Sequence, residues 1–101
     1  MKHLGWLALC VALIQAPAQA DEQGDIAAAC VKLGLGEAPC ACIAEDTMKT
    51  FEPRMREVVL MSLSDVVEFD ILIKAGKVTN EEVSALSDYQ SHIEPICKVT
   101  E

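Results

Sequence analysis

The sequence is poor in positive charge. It has 8 Lys and Arg against 16 Asp and Glu, a formal charge of −8 over 101 residues. That balance argues against nucleic acid and against an anionic membrane surface, both of which are held through Lys and Arg. Histidine is almost absent, with His3 and His92 the only two. His92 stands alone beyond the opening segment and reads as a solvated side chain rather than a catalytic base. No apolar run approaches the roughly 20 residues of a membrane-spanning helix; the longest is Leu4 to Ile14. No repeat, linker or low-complexity segment divides the chain, and its length leaves room for one domain.

Motifs for bond-making chemistry are also missing. Ser62, Ser64, Ser84, Ser87 and Ser91 lie in no Gly-x-Ser-x-Gly turn. Gly34-Leu35-Gly36 is too short for a dinucleotide loop, and Ala75-Gly76-Lys77-Val78-Thr79 lacks the upstream glycine of a phosphate loop. Acidic pairs such as Glu45 with Asp46, Glu68 with Asp70, and Glu81 with Glu82 read as solvated faces, and no EF-hand spacing occurs. The expectation is a protein that is not an enzyme and has no cofactor and no resident metal.

What the chain does have begins with its opening. Lys2 and His3 precede the apolar run, Pro17 follows it, and Ala18-Gln19-Ala20 stands just before Asp21 and Glu22. Small residues at the first and third places before the cut suit signal peptidase, so residues 1–20 read as a signal peptide cleaved after Ala20. Cys10 does not mark a lipid anchor, because Leu9 is too large for the residue before a modified cysteine. The only Trp, Trp6, leaves with the leader. Residues 21–101 remain as one exported domain, soluble and without stable membrane insertion. It carries seven basic and all sixteen acidic residues, a formal charge of −9. The short basic start looks bacterial, which makes the compartment the periplasm.

Cys30, Cys40, Cys42 and Cys97 survive cleavage. An even count in a short exported chain predicts disulfides, and a domain of this size has a small core that benefits from them. Cys40–Cys42 would close a ring across a single residue and ranks last. Cys40 and Cys42 lie about 200° apart around a helix. Cys40 shares a face with Ile43, Thr47 and Phe51, the side expected to be buried, while Cys97 continues the stripe Val83, Leu86, Ile93. Cys30 near the end of one helix and Cys42 one turn into the next would be level in a hairpin. The preferred pairing is therefore Cys30–Cys42 with Cys40–Cys97, ahead of Cys30–Cys40 with Cys42–Cys97. Cys-x-Cys is not the redox Cys-x-x-Cys, and a zinc site would need reduced thiolates. Copper(I) or thiol handling by these cysteines with Met48, Met55 and Met61 is a competing reading, since sulfur is a soft ligand. Met at helical spacing is more often core filler.

The predicted fold is all-α, a bundle of four to five short helices stapled by two disulfides. The first covers 25–34, with Ile26, Cys30 and Leu33 in one stripe and Gly34 as its stop. A second runs from Pro39 to about Thr50. A third starts at Pro53, with Glu52 as its cap and Met55, Val58, Val59 and Ser62 on one face. A break is expected near 62–65, where Ser62-x-x-Asp65 has capping-box form. Residues 66–73 alternate like a strand, yet Val66, Phe69 and Ile73 also fit helical spacing; helix is preferred because the neighbours are helical. The last helix opens on the capping box Thr79-x-x-Glu82 and should kink or end at Pro95.

The pattern Cys30, then Cys40-Ala41-Cys42-Ile43, then Cys97, behind an export signal and among short helices, resembles a group of small exported bacterial proteins to which no activity is attached. The resemblance covers most of the mature chain and implies a helical exported fold without naming a reaction. In size and compartment the chain is also similar to periplasmic acid-stress chaperones, from which Cys42 and its partner depart, as those have two cysteines. Two functions follow as expectations: an interaction module whose acidic surface meets a basic protein partner, or a chaperone that opens as its carboxylates neutralise below about pH 4.

Overall fold

Capping and turn residues set the ends of each element along this chain. The computed structural model describes residues 21–99, and the expected leader with its cleavage site lies outside them. Five helices are present among the described residues, with no strand. They are α1 (21–32), α2 (Glu37–Thr50), α3 (Pro53–Ser64), α4 (Val66–Lys74) and α5 (Asn80–Cys97).

The first helix is already helical at Asp21 and stops two residues before the expected end. Its last turn tightens through bonds from Leu33 N–H to the Cys30 carbonyl at 3.0 Å and from Gly34 N–H to that of Val31 at 2.9 Å. Leu33 therefore falls past the helix and stays exposed, outside the core that its spacing implied. Gly34 and Gly36 both take left-handed φ, at 88° and 92°, where a side chain would be strained. This lets α2 begin at Glu37 instead of Pro39. Pro39 then sits in the first turn, where a missing N–H costs nothing.

Asp65 is both the C-cap of α3 and the N-cap of α4. Its extended backbone (φ −157°) separates the two helices, and its carboxylate accepts from Glu68 N–H at 3.0 Å. The cap is thus Asp65, not the Ser62 of the expected box; the Ser62 hydroxyl donates backward to the Val59 carbonyl at 2.7 Å. Glu52 occupies the N-cap of α3 without a side-chain cap bond. The ambiguous stretch is helix α4, ending in a turn at Gly76 (φ 76°). Its inward residues are Phe69, Leu72 and Ile73, half-buried; Val66 points out.

The capping box of α5 is as expected, with Thr79 Oγ1 accepting from Glu82 N–H and Glu82 accepting from Thr79 N–H. Pro95 does not end the helix, which runs to Cys97 before Lys98 turns left-handed (φ 57°). A proline so near the end removes one late backbone bond, and Val99 N–H to the Glu94 carbonyl at 2.9 Å closes the terminus instead.

The core has two adjoining parts. Ile26, Ala44, Val58, Val59, Val78 and Leu86 form one. Cys30, Cys40, Ile43, Tyr89, Ile93 and Cys97 form the other, and Phe51 and Leu63 pack against both. Val78 carries no periodic signal in the sequence, yet it is buried because the loop after Gly76 folds it inward. Met48, Met55 and Met61 are half-buried filler against the first part.

Candidate functional site

The disulfides are Cys30–Cys40 and Cys42–Cys97, with Cα separations of 5.5 and 5.6 Å. The preferred pairing is corrected on this point. Level placement in the α1–α2 hairpin does decide the pairing, and both helix boundaries lie two residues earlier than the spacing predicts. With α1 ending at Lys32 and α2 starting at Glu37, the residue level with Cys30 is Cys40. Cys30 and Cys40 are fully buried together, Cys40 on the same α2 face as Ile43 and Thr47. Cys42, about 200° around α2, meets the end of α5 and is half-buried. The four sulfurs are joined in two separate disulfides. Among the described residues no group of three or more His, Cys, Asp or Glu is placed to hold a metal ion.

Between the two helices joined by Cys42–Cys97 lies the most buried polar cluster. The Tyr89 hydroxyl donates to Asp46 Oδ2 at 2.7 Å and lies 3.1 Å from the hydroxyl of Thr47, which is fully buried. Asp46 Oδ2 also accepts from the Thr50 hydroxyl at 3.1 Å. The Tyr89 ring meets Phe51 edge to face, with centroids 4.8 Å apart. Burial pushes the Tyr89 phenol well above its ordinary value, and the neighbouring Asp46 carboxylate adds to this. The neutral hydroxyl acts as a strut across α2 and α5. Spacing could have found it, because Tyr89 stands three residues after Leu86 and four before Ile93.

A second polar lock joins α3 to the start of α5. Arg54 Nε and Nη2 donate to the two Glu82 oxygens at 2.7 and 3.0 Å; Nη2 also reaches the Lys77 carbonyl at 2.8 Å, and Nη1 reaches Glu57 at 2.7 Å. The Arg54 bond, helped by Thr79 N–H, holds the Glu82 carboxyl down at about 2. Nothing in the sequence pairs Arg54 with Glu82. Beside this lock is a shallow cleft of about 500 Å³ lined by Glu22, Pro53, Arg54, Arg56, Glu57 and Leu60. Its cations are already committed, Arg54 as above and Arg56 to Glu22 and to the Phe51 carbonyl at 3.0 Å. Both guanidinium groups are thus engaged chiefly in holding the fold together.

No nucleophile–base pair assembles among the described residues. His92 is exposed, and Ser62 and Ser64 donate to carbonyls of their own helix. The feature that lacks an internal explanation is α4. Its sequence VVEFDILIK is apolar, yet none of its residues is buried. Val66, Val67 and Ile71 are 63 %, 72 % and 52 % exposed. Comparison with known proteins adds nothing to this geometry, since no family model, curated protein or solved structure matches the chain.

Proposed function

We propose that this protein is an exported, non-enzymatic interaction module in which a disulfide-stapled bundle presents α4 to another protein. The observation that carries the reading is an apolar helix exposing Val66, Val67 and Ile71 on a domain whose buried polar side chains are all internally bonded. Two disulfides suit an oxidising compartment, in keeping with the export signal. In a bacterium that compartment is the periplasm. Scattered exposed apolar residues are ordinary on protein surfaces, whereas several on one short helix mark a contact surface. The test is a photo-crosslinking residue at Ile71, with Ser84 on the exposed side of α5 as control, in the exported protein of living cells. A discrete heteromeric adduct from position 71 and none from 84 is the expected result. The same pattern from both positions, or no adduct from either, counts against the reading.

The Arg54–Glu82 lock favours a second reading, an acid-stress chaperone. Protonating Glu82 weakens the polar tie between α3 and α5 beside the apolar surface already present on α4. Such a protein suppresses client aggregation only as pH approaches about 2, where Glu82 itself begins to be neutralised, and not at neutral pH.

A further inference from the structure

Resting on the interaction-module reading, we propose that the outward face of α4 is the docking surface for a cationic amphipathic helix of another protein. At 100° per residue, Val67 and Ile71 stand 40° apart and form a stripe along the helix. Val66 lies 100° to one side of Val67, with Asp70 and Lys74 between them. Those two charges neutralise each other in an ion pair at 3.0 Å. On the other side of Ile71, 60° away, stands Glu68, and Asp65 stands at the N-terminal end. Both are exposed, and neither is in an ion pair among the described residues. The apolar stripe is therefore bordered by the unpaired carboxylate of Glu68, with the capping carboxylate of Asp65 at its end, on a chain with twice as many acidic as basic residues.

That charge selects the occupant. A second copy would bring the same negative field to the contact, and three side chains fall far short of the roughly 800 Å² per partner of a stable dimer. An anionic bilayer is repelled for the same reason. A partner helix with apolar residues at i and i+4 flanked by Lys or Arg matches both features. The contact is small, so the complex is weak, and its charged border makes it sensitive to salt.

The probes are three synthetic helical peptides of equal length. One is Leu/Lys amphipathic, one Leu/Glu with the same apolar stripe, and one Ser/Lys without it. Binding to the oxidised chain from Asp21 onward is read by fluorescence anisotropy at low and high salt. The Leu/Lys peptide should bind at least about tenfold more tightly than either of the others, and should weaken as salt shortens the screening length to about 8 Å or less. V67S/I71S should lose about tenfold, the worth of roughly 1.4 kcal/mol, with its melting temperature unchanged because both residues are exposed. E68K keeps the stripe and should weaken the Leu/Lys peptide while improving the Leu/Glu one. Equal binding of the Leu/Lys peptide to V67S/I71S overturns the proposal, as the contact is then diffuse charge elsewhere. Equal binding of the Leu/Glu peptide, or no peptide binding while Ile71 still crosslinks, removes the cationic partner and leaves the module reading standing. Neither binding nor crosslinking removes both. A concentration-dependent dimer by sedimentation, abolished in V67S/I71S, assigns the face to a second copy and also overturns the proposal.

Discussion

Opening the Cys42–Cys97 bridge by C42A/C97A should be the most damaging single lesion in this fold. The bridge spans 55 residues, and the other spans 10. Loop-closure entropy gives about 4 kcal/mol for the long loop and about 3 kcal/mol for the short one at 25 °C. A small domain has a total stability of about 5–15 kcal/mol, so the loss is a large part of the whole. For a domain of 60–100 residues, 1 kcal/mol is worth roughly 4–8 °C, and the melting temperature should fall by roughly 15–30 °C. Alanine avoids placing a hydroxyl beside buried Ile93 and Tyr89. Far-UV circular dichroism follows the melt, with the oxidised parent and the fully reduced parent as references. The reduced parent, lacking both links, should be largely unfolded near room temperature. A shift below roughly 5 °C in C42A/C97A, equivalent to about 1 kcal/mol, would refute the idea that this small core depends on its cross-links.

The connectivity itself is tested by counting thiols in the chain from Asp21 onward: C30A/C40A should show no free thiol, and C30A/C42A should show two, because Cys40 and Cys97 face different neighbours. Zero thiols in C30A/C42A would restore the rejected pairing. Glu82 has its carboxyl lowered from 4.5 to about 2 by Arg54, so its contribution is complete above about pH 4.5 and disappears as pH falls towards 2. E82Q should be less stable than the parent at neutral pH, with the gap closing over that window; parallel melting curves from pH 7 to 2 would argue that the lock contributes nothing. Tyr89 has its phenol raised by burial, so its contribution holds below pH 10 and is lost above it. Y89F should cost about 1–2 kcal/mol at neutral pH and flatten the alkaline loss seen by denaturant titration. D65A removes the only cap of α4 and should cost about 1 kcal/mol, seen as faster amide exchange across Val66–Lys74 and not across α2.

Much of the helical framework was legible in the residues. Pro53, the break near 62–65, Gly76 and the Thr79–Glu82 box punctuate the chain by local chemistry, since caps and left-handed turns need only a few neighbouring atoms, although the cap at that break is Asp65 and not Ser62. The same locality explains the errors. Whether α2 opens at Glu37 or Pro39 depends on Gly34 and Gly36 both turning left-handed, and that two-residue difference moved the partner of Cys30 from Cys42 to Cys40. The candidate site was half readable. Six apolar residues among nine in α4 cannot all face one side of a helix, so some had to be exposed once the stretch was helical. Which ones point outward followed only from α4 packing on α3.

By itself the sequence determined that the chain is acidic, helical and built to be cross-linked, because charge, periodicity and cysteine count are sums and spacings along one dimension. The tertiary structure alone decided that Arg54 meets Glu82, that Tyr89 braces Asp46 and Thr47, that Val78 seals the core and that Val67 and Ile71 stay outside. Those pairings depend on how helices roll about their axes and how far they slide. A rotation of 100° per residue turns each small shift in a helix end into a different set of neighbours.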